Sequence, residues 1–361
     1  MDVLSPPAAK KAKSVHCHTL DDLFGIKALL SDEYKKEIRL IKVHSCELES
    51  KQQLQAVIQE LAQKLPHFQH LKRVHDRNVL ICPTADIKDT LEQHLKQHQI
   101  SDHVLKALCR NVNVVEVPAN SAKLRVQYDQ MVKYWPCKFH PDKYAESLQN
   151  GSNFTSSQRL YHKRMAQLLR HLSRDLNQGQ PVAICVDPRQ PSIVAIAGSS
   201  NSEGSHQHCV MWLVDHVARS QQGGAWQSQV DFVQDEQQHA AKTLRGLPQN
   251  YYDYLQSHEH CKDLQYGAEL PRRGSEKQPE DELGTSVDNL SKYGPYLCTG
   301  YDIYLLREPC LMCAMALVHS RVKRIFFLEQ SKNGALASSF QLHGVKELNH
   351  HYEVFQFTTT S

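Results

Sequence analysis

The apolar positions in the first third of the chain alternate between the spacing of strands and the spacing of helices. Glu37–Ser45 and Val112–Ala119 are short stretches rich in β-branched residues, which predicts two strands. Leu71–Pro83 has the pattern of a hairpin that turns at Asp76–Asn78. Ser50–Leu65 has apolar residues three and four positions apart, which is the spacing of one helix face.

A second helix is predicted at Asp86–Gln99, and the first residues of the two helices, Ser50 and Asp86, have the side chains of N-caps. The order β-α-β-β-α-β resembles a small ferredoxin-like α+β domain, which we expect over residues 19–127. Residues 1–18 precede this pattern and are expected to form a disordered tail. Residues 128–156, rich in aromatic residues, proline and lysine, are expected to be a linker.

A second domain is expected over residues 157–355. A helix begins near Ser157, two apolar strands follow at Pro181–Pro188 and Ser192–Ser200, and helical spacing returns at His208–Gln222. Residues from about 220 to 295 are rich in Gln, Glu, Ser and Gly, which is typical of a flexible insert. Regular patterning resumes after it, so we expect the insert to separate two halves of one site.

Composition restricts the class of protein more than its function. The 361 residues are 40% hydrophobic and 22% charged, which is ordinary for a globular protein, and the net charge of +3 permits a polyanionic partner without indicating one. No apolar run reaches the length of a membrane span, so none is expected. Eleven cysteines without a secretion signal indicate reduced thiols in the cytosol or nucleus.

The candidate chemistry begins with Cys310 and Cys313, three residues apart at the start of an apolar helix. Positions i and i+3 lie on one helix face, so both thiolates could bind one metal ion. The dipole of the helix N-terminus favours those thiolates. Ala314, Leu317 and Val318 are apolar residues of the same helix and predict that this helix packs in the core. Two cysteines that pack in that core explain the spacing equally well.

The longer stretch Arg307–Val322, which contains Glu308, Pro309 and both cysteines, resembles the zinc-dependent nucleoside deaminases, whose signature is H-x-E…P-C-x-x-C. Within this cytidine/deoxycytidylate deaminase superfamily it is most similar to the tRNA adenosine deaminases, and Asn333–Leu336 continues the similarity. The resemblance implies a cytidine-deaminase-like three-layer α/β/α domain with a mixed sheet. It also implies a Zn²⁺ ion bound by Cys310, Cys313 and a histidine.

The resemblance places His208 at the histidine of H-x-E, directly before a predicted helix, with His206 as the alternative ligand. Cys209 is expected to pack in the core. Val210 then stands where the active enzymes have the glutamate that shuttles protons to the base and the leaving amine. Valine cannot carry a proton, and losing such a group costs about 10²–10⁴-fold in rate.

Three carboxylates are candidate substitutes for the missing glutamate. Glu308 precedes the first cysteine in active relatives too, so it is not expected to take over. Glu259 or Asp263 of the insert remains open.

This combination is similar to one family, the non-catalytic subunits of the eukaryotic tRNA wobble adenosine deaminase. The resemblance implies a pseudoenzyme with no catalytic residue of its own, which pairs with a catalytic H-x-E subunit and binds tRNA. The heterodimer would form inosine at tRNA position 34, in the nucleus and cytoplasm. A self-sufficient tRNA adenosine deaminase and an RNA-binding scaffold without a deaminase partner are the alternatives.

Basic and aromatic residues of the first domain and the linker are the candidate RNA contacts, because phosphates attract cations and splayed bases stack on aromatic rings. These residues are Lys72, Arg73, Arg77, Lys133, Tyr134, Trp135 and Lys138. A solvated charged face with an aromatic core anchor is the alternative. Met312, Met315 and Ala316 are the candidate contacts to the partner subunit, or else they complete the core.

Overall fold

The computed structural model describes residues 24–35, 37–48, 51–199, 208–227, 230–234, 242–269 and 296–359. It divides into two compact units, Leu30–Asn153 and the combination of Met1–Leu29 with Phe154–Ser361. The predicted tail, residues 1–18, lies outside the described residues. Among the helices that are described, none is long and apolar enough to cross a membrane.

The unit Leu30–Asn153 has a four-stranded antiparallel sheet in the order β3-β4-β2-β5. Its strands are β2 (Leu40–Glu47), β3 (Val74–His75), β4 (Asn78–Pro83) and β5 (Val112–Pro118). Its helices are α1 (Asp32–Lys35), α2 (Lys51–Lys64), α3 (Leu91–Gln97), α4 (Asp102–Leu108), α5 (Arg125–Met131) and α6 (Lys143–Asn150). The predicted alternation of strands and helices is present, and the ferredoxin-like assignment stays a prediction.

Local chemistry explains where this unit follows the predicted elements and where it departs from them. The β3–β4 hairpin turns at Asp76, whose φ of 54° is a conformation that Asp adopts more readily than most residues. The start predicted for the second helix was wrong. Asp86 lies in a 3₁₀ turn, and the N-cap is Thr90, whose side chain accepts a hydrogen bond from the Gln93 backbone N–H. Helix α4 was not predicted, and Ser50 lies outside the described residues.

The stretch predicted to be a linker belongs to the core of this unit. A sheet with two apolar faces needs a cover on each, and one face packs on α2, α3 and α4. The other face, with Val43 and Leu80, packs against Met131, Trp135 and Cys137. The domain boundary predicted at residue 127 is therefore corrected to about residue 153.

The second unit contains a seven-stranded mixed sheet in the order β1-β13-β12-β11-β6-β7-β9. Its strands are β1 (Phe24–Ala28), β6 (Val182–Asp187), β7 (Ser192–Gly198), β9 (Gln265–Tyr266), β11 (Asp302–Arg307), β12 (Arg324–Glu329) and β13 (Glu353–Thr359). A separate short pair joins β8 (Lys242–Thr243) to β10 (Ala268–Glu269). Strands β11, β12 and β13 run parallel, whereas β6 is antiparallel to both of its neighbours.

Helices cover both faces of this sheet, as a three-layer arrangement requires. They are α7 (Ser156–Leu176), α8 (Cys209–Ser220), α9 (Gln249–Ser257) and α10 (Leu311–His319). Alternate residues of β11 serve the two layers. Tyr304 faces α7, where its hydroxyl lies 2.7 Å from His162 Nδ1, and Leu305 packs with α8 and α10.

Two predicted boundaries of the second unit differ from the structure. Residues Phe24–Ala28, predicted in the first domain, form β1 and pair with β13. The predicted flexible insert contains α9, whose Tyr251 and Tyr254 are buried and donate hydrogen bonds from their hydroxyls to α7 and its C-cap residue. Residues 270–295 of that insert lie outside the described residues.

Candidate metal centre

His208 and Cys310 occupy equivalent positions, each the residue directly before a helix. His208 is the N-cap of α8 and Cys310 is the N-cap of α10, and both have extended backbone conformations. Each side chain can therefore project beyond the first helical turn. Cys313 is the third residue of α10 and lies on the same face as Cys310. His206, the alternative ligand, lies outside the described residues.

The three predicted ligands come together. His208 Nδ1 lies 3.4 Å from Cys310 Sγ and 3.4 Å from Cys313 Sγ, and all three ligand atoms lie within 4.8 Å of one another. Two thiols and one imidazole are a donor set that zinc accepts in a tetrahedral site. Within the described residues, no other group of three or more His, Cys, Asp or Glu side chains is close enough to hold a metal ion. The cluster therefore fits zinc.

The two thiols differ in how deeply they are buried. Cys310 is half-buried, whereas Cys313 is 2% exposed. Burial, and after it the neighbouring Cys310 thiol, raises the pKa of Cys313 well above its usual range. A bound divalent cation has the opposite effect and deprotonates a coordinating thiol. The arrangement suits a cation better than a pair of free thiols.

The position at which the resemblance predicts the shuttle glutamate is apolar and closed. Val210, in the first turn of α8, is 3% exposed and packs in the same core cluster as Cys313. Cys209 packs in that core as expected, and burial raises the pKa of its thiol to about 11. Val210 has no ionisable atom, and the Cys209 thiol stays protonated at neutral pH, so neither position offers a group that readily takes up and releases a proton.

Glu308, the carboxylate next to Cys310 along the chain, is fully engaged by the loop after β12. Its oxygens accept hydrogen bonds from the backbone N–H groups of Ser331, Leu336, Ala337 and Ser338 at 2.6–3.2 Å, and from the Ser338 hydroxyl. Burial alone would raise the pKa of Glu308, but these donors hold it below its ordinary value. Glu308 is therefore a loop anchor, which agrees with the expectation that it does not replace the shuttle.

Gly334 makes that anchor possible. A Cβ atom at this position would lie 2.0 Å from Glu308 Cδ, so the loop can cross the carboxylate only with glycine there. The backbone of Gly334 also pairs with that of Cys310 in an isolated bridge. Gly334 lies within Asn333–Leu336, a stretch that the sequence analysis had matched to the deaminases. The sequence did not reveal that glycine is needed there because of the Glu308 carboxylate.

The two carboxylates of the insert that were left open as substitutes lie at the surface. Glu259 forms an ion pair with Lys262, and its side chain is 85% exposed. Asp263 lies 3.6 Å from Arg164, and its side chain is 87% exposed. Neither belongs to the metal-ligand cluster, so the structure does not favour them.

Two of the candidate RNA contacts are used inside their own domain. Arg73 donates hydrogen bonds to the carbonyls of Leu61, Leu65, His67 and Ile81, which caps the C-terminal end of α2, and burial lowers its pKa to about 10. Trp135 is 5% exposed, and its indole N–H donates to the Lys72 carbonyl at 2.7 Å. The structure therefore gives both residues a structural role, and contact of either residue with RNA stays a prediction. The exposed candidates are Lys72, Arg77, Lys133, Tyr134 and Lys138.

The C-terminal segment takes part in the sheet. Its described part forms β13, which pairs with β12 on one side and β1 on the other.

Comparison with known proteins gives the following similarities. No protein-family model matches the chain. It is 31% identical over 373 residues to a Danio rerio protein named "Probable inactive tRNA-specific adenosine deaminase-like protein 3", covering 97% of this chain and 96% of that one. The Homo sapiens protein of the same name is 29% identical over 91% of this chain and 88% of its own length. The Arabidopsis thaliana "tRNA-specific adenosine deaminase TAD3" is 56% identical over 77 residues, 21% of this chain and 19% of that protein.

Proposed function

The chain belongs to the family of tRNA-specific adenosine deaminase-like protein 3, and from this premise we propose that it is the zinc-binding, catalytically silent subunit of a heterodimeric tRNA adenosine deaminase. The observation that carries the proposal is the combination of a complete ligand cluster with a buried valine at position 210. The heterodimer forms inosine at the wobble position 34 of its tRNA substrates. This subunit positions tRNA and supports the partner that carries H-x-E.

The site is expected to be inactive because it has no side chain that can transfer the proton. Deamination needs a side chain that takes a proton and delivers it to the base and the leaving amine. Val210 has no such atom, and the Glu308 carboxylate is occupied by donors of its own loop. Zinc, when bound, would supply a Lewis acid. His208, Cys310 and Cys313 would hold it and thereby tie the start of α8 to the start of α10.

The partner would bind the outer face of α10. Leu311 and Met312 are 45% and 39% exposed directly beside the metal ligands, and Met315 and Ala316 continue the same face one turn later. Phe340, in the loop anchored by Glu308, is 55% exposed. Apolar side chains exposed together mark an interaction surface. An obligate interface of about 2,000 Å² or more would cover them.

The first unit would hold tRNA at a distance from the reacting base. Its exposed cations Lys72, Arg77, Lys133 and Lys138 would contact phosphates, and the exposed Tyr134 would stack on a base. A ferredoxin-like fold of this unit is part of the same proposal. So is residence in the nucleus and cytoplasm, which cell fractionation with an antibody against the chain would test.

The decisive experiment measures inosine at position 34 with the purified chain, a candidate H-x-E partner, and both together. Conversion only in the mixture supports the proposal. Conversion by the lone chain would establish a self-sufficient deaminase. If the mixture is inactive and the chain binds RNA as a monomer, the RNA-binding scaffold is the better description.

The metal assignment has its own test. Cys310→Ser should lose about one zinc ion per chain and lower the unfolding temperature, because a structural zinc contributes folding energy directly. Cys109→Ser is the matched control, since Cys109 is also half-buried but lies in the other unit. An unchanged zinc content in Cys310→Ser would show that the ligand assignment is wrong.

The tRNA surface is tested by reversing exposed charges only. The double variant Lys72→Glu, Arg77→Glu should weaken tRNA binding and reduce the slope of log K against log salt by about one for each phosphate that it no longer neutralises. Lys88→Glu is the control, as an exposed lysine of the same unit. Equal slopes for all three proteins would exclude this surface as the site of phosphate binding.

A further inference from the structure

The four-stranded sheet of the first unit ends at β5, and no strand of the described residues lies on its outer side. The opposite end of the sheet is different, because Pro136–Lys138 hydrogen-bonds to the residues directly before β3. An unpaired edge strand presents backbone N–H and C=O groups that can pair with another chain, and proteins commonly protect such edges with proline or charged side chains. Strand β5 has little of this protection, since its one proline is its last residue and its one charged residue is Glu116.

The hydrogen bonds at the two ends of β5 identify which of its backbone groups face outward. The Glu47 N–H donates to the Asn111 carbonyl at 3.3 Å, and the Ala119 N–H donates to the Arg39 carbonyl at 2.8 Å. In an antiparallel pair, residues that exchange such hydrogen bonds alternate with residues that do not. The odd-numbered residues of β5 therefore bond to β2, and the even-numbered residues point their backbone groups away from it.

Three even-numbered residues of β5 have outward backbone groups for which the described part of the chain provides no partner: Val112, Val114 and Glu116. The fourth, Pro118, has its carbonyl oxygen 2.8 Å from His70 Nε2. Val112 and Glu116 are exposed, and Val114 is 53% exposed. The same residues thus offer both backbone hydrogen-bonding groups and accessible side chains.

The exposed valines lie beyond the helices that cover their face of the sheet. Val112 is opposite Cys46 in the β2–β5 register, and paired residues of an antiparallel sheet point to the same face. Cys46 packs in the core beneath α2, α3 and α4. The helices therefore cover the neighbouring strand and leave the valines of β5 in contact with solvent. Apolar side chains beside unpaired backbone groups favour the addition of a further strand.

We propose that this edge binds the same edge of a second copy of the chain, with the two β5 strands antiparallel across a two-fold axis. In the register that fits best, Val112 lies opposite Val114 of the second copy, and the reverse contact forms by symmetry. Arg110, an exposed residue just before the strand, lies opposite Glu116 of the second copy. The outward groups would form about four N–H···O hydrogen bonds between the copies and join the two sheets into one.

Hydrophobicity and charge together select this register. It places valine opposite valine and arginine opposite glutamate, each twice, and apolar or oppositely charged cross-strand pairs stabilise a sheet. A shift of the register in one direction would place Glu116 opposite Val112, and a shift in the other direction would place Arg110 opposite Val114. The edge is therefore complementary to itself, as a contact across a two-fold axis requires.

The contact is small compared with an obligate interface, so we expect it to form and dissociate with concentration. It involves no residue of α10, which the proposed function assigns to the catalytic partner. Combined with that heterodimer, it would give an assembly with two copies of each subunit. The self-association does not depend on the deaminase proposal, so each of the two can fail without the other.

The test is sedimentation equilibrium of the full chain over a concentration series. We expect a reversible monomer–dimer equilibrium in the wild type and a dissociation constant at least about tenfold higher in Val114→Pro. Proline removes an N–H that points outward and leaves the hydrogen bonds to β2 in place. Met312→Lys, on the outer face of α10, should not change the equilibrium. A monomeric wild type, or a dimer that Met312→Lys abolishes and Val114→Pro does not, would overturn the proposal.

A charge exchange tests the register and does not depend on proline being tolerated. Glu116→Arg and Arg110→Glu, each alone, should raise the dissociation constant about fivefold, because each places like charges opposite one another twice. The double variant restores opposite charges and should return to within about twofold of the wild type. A double variant no tighter than the single ones would overturn this pairing. An edge that instead binds a strand of another protein would leave the lone chain monomeric, which also overturns it.

Discussion

The substitution Gly334→Ala examines how the loop after β12 is fixed beside the metal centre. The added methyl group would lie 2.0 Å from Glu308 Cδ and 2.1 and 2.4 Å from its two oxygens. Real Cβ atoms do not approach this closely, so either the carboxylate or the loop must move. The carboxylate cannot move without losing donors, because four backbone N–H groups and one hydroxyl point at it.

The magnitude follows from those hydrogen bonds. A hydrogen bond to a charged group contributes about 1.5–3 kcal/mol, so the loss of two would cost about 3–6 kcal/mol. Partial relaxation of the loop brings the expected destabilisation to the lower end, about 3 kcal/mol. For a unit of this size, that free energy lowers the unfolding temperature by about 6–12 °C.

A double-mutant cycle shows whether the cost arises through Glu308. Thermal unfolding is measured for Gly334→Ala, Glu308→Ala and the double variant. With the carboxylate removed, the methyl group has room, so the second substitution should add almost nothing to Glu308→Ala. Gly223→Ala is the control, since its nearest contact is the Ala218 carbonyl oxygen at 3.3 Å, and it should cost less than about 1 kcal/mol. Additive costs in the cycle would refute the steric explanation.

Three further predictions concern ionisable side chains that are wholly or partly buried. Burial lowers the pKa of His216 to about 4, so the unfolded chain takes up a proton first as the pH falls, and stability is lost below about pH 6.5. Urea unfolding should show that this residue lowers the free energy of unfolding by about 2 kcal/mol between pH 7 and pH 5, and His216→Asn should abolish that contribution. The same change between the two pH values in the wild type and in His216→Asn would contradict this. Arg73→Met should lower the urea midpoint of the first unit and leave the salt slope of tRNA binding unchanged, because Arg73 caps α2. Arg324→Met should destabilise by about 3–5 kcal/mol in the same assay, since it leaves buried Asp302 without its ion pair, and a near-neutral effect would show that the pair is dispensable.

The clustering of His208, Cys310 and Cys313 was predictable because its signal is local. The spacing of Cys310 and Cys313 and the position of His208 before a helix specify which atoms point together, and the resemblance joined the two halves. The identity of residue 210 could likewise be read directly. Helices with strong apolar periodicity, such as α2 and α8, were predicted for the same reason.

The parts that could not be predicted depend on contacts distant along the chain. Strand β1 has ordinary strand composition, and only its pairing with β13, more than 300 residues later, assigns it to the second unit. Helix α9 lies in a polar stretch whose two buried tyrosines become core residues only against α7. The role of Arg73 depends on four carbonyl groups that the sequence does not place near it.

The separation of the two halves of the metal centre along the chain has a consequence for the unfolded protein. His208 and Cys310 are 102 residues apart, so an ion held by both closes a loop of that length. By analogy with a covalent cross-link, closing about 100 residues would remove chain entropy worth about 4–5 kcal/mol from the unfolded state. This contribution requires no proton shuttle, and doubling such a loop changes it by only about 0.6 kcal/mol. In the catalytically silent subunit that we propose, a bound zinc ion would therefore still contribute to stability, and a long insertion between its ligands would cost little.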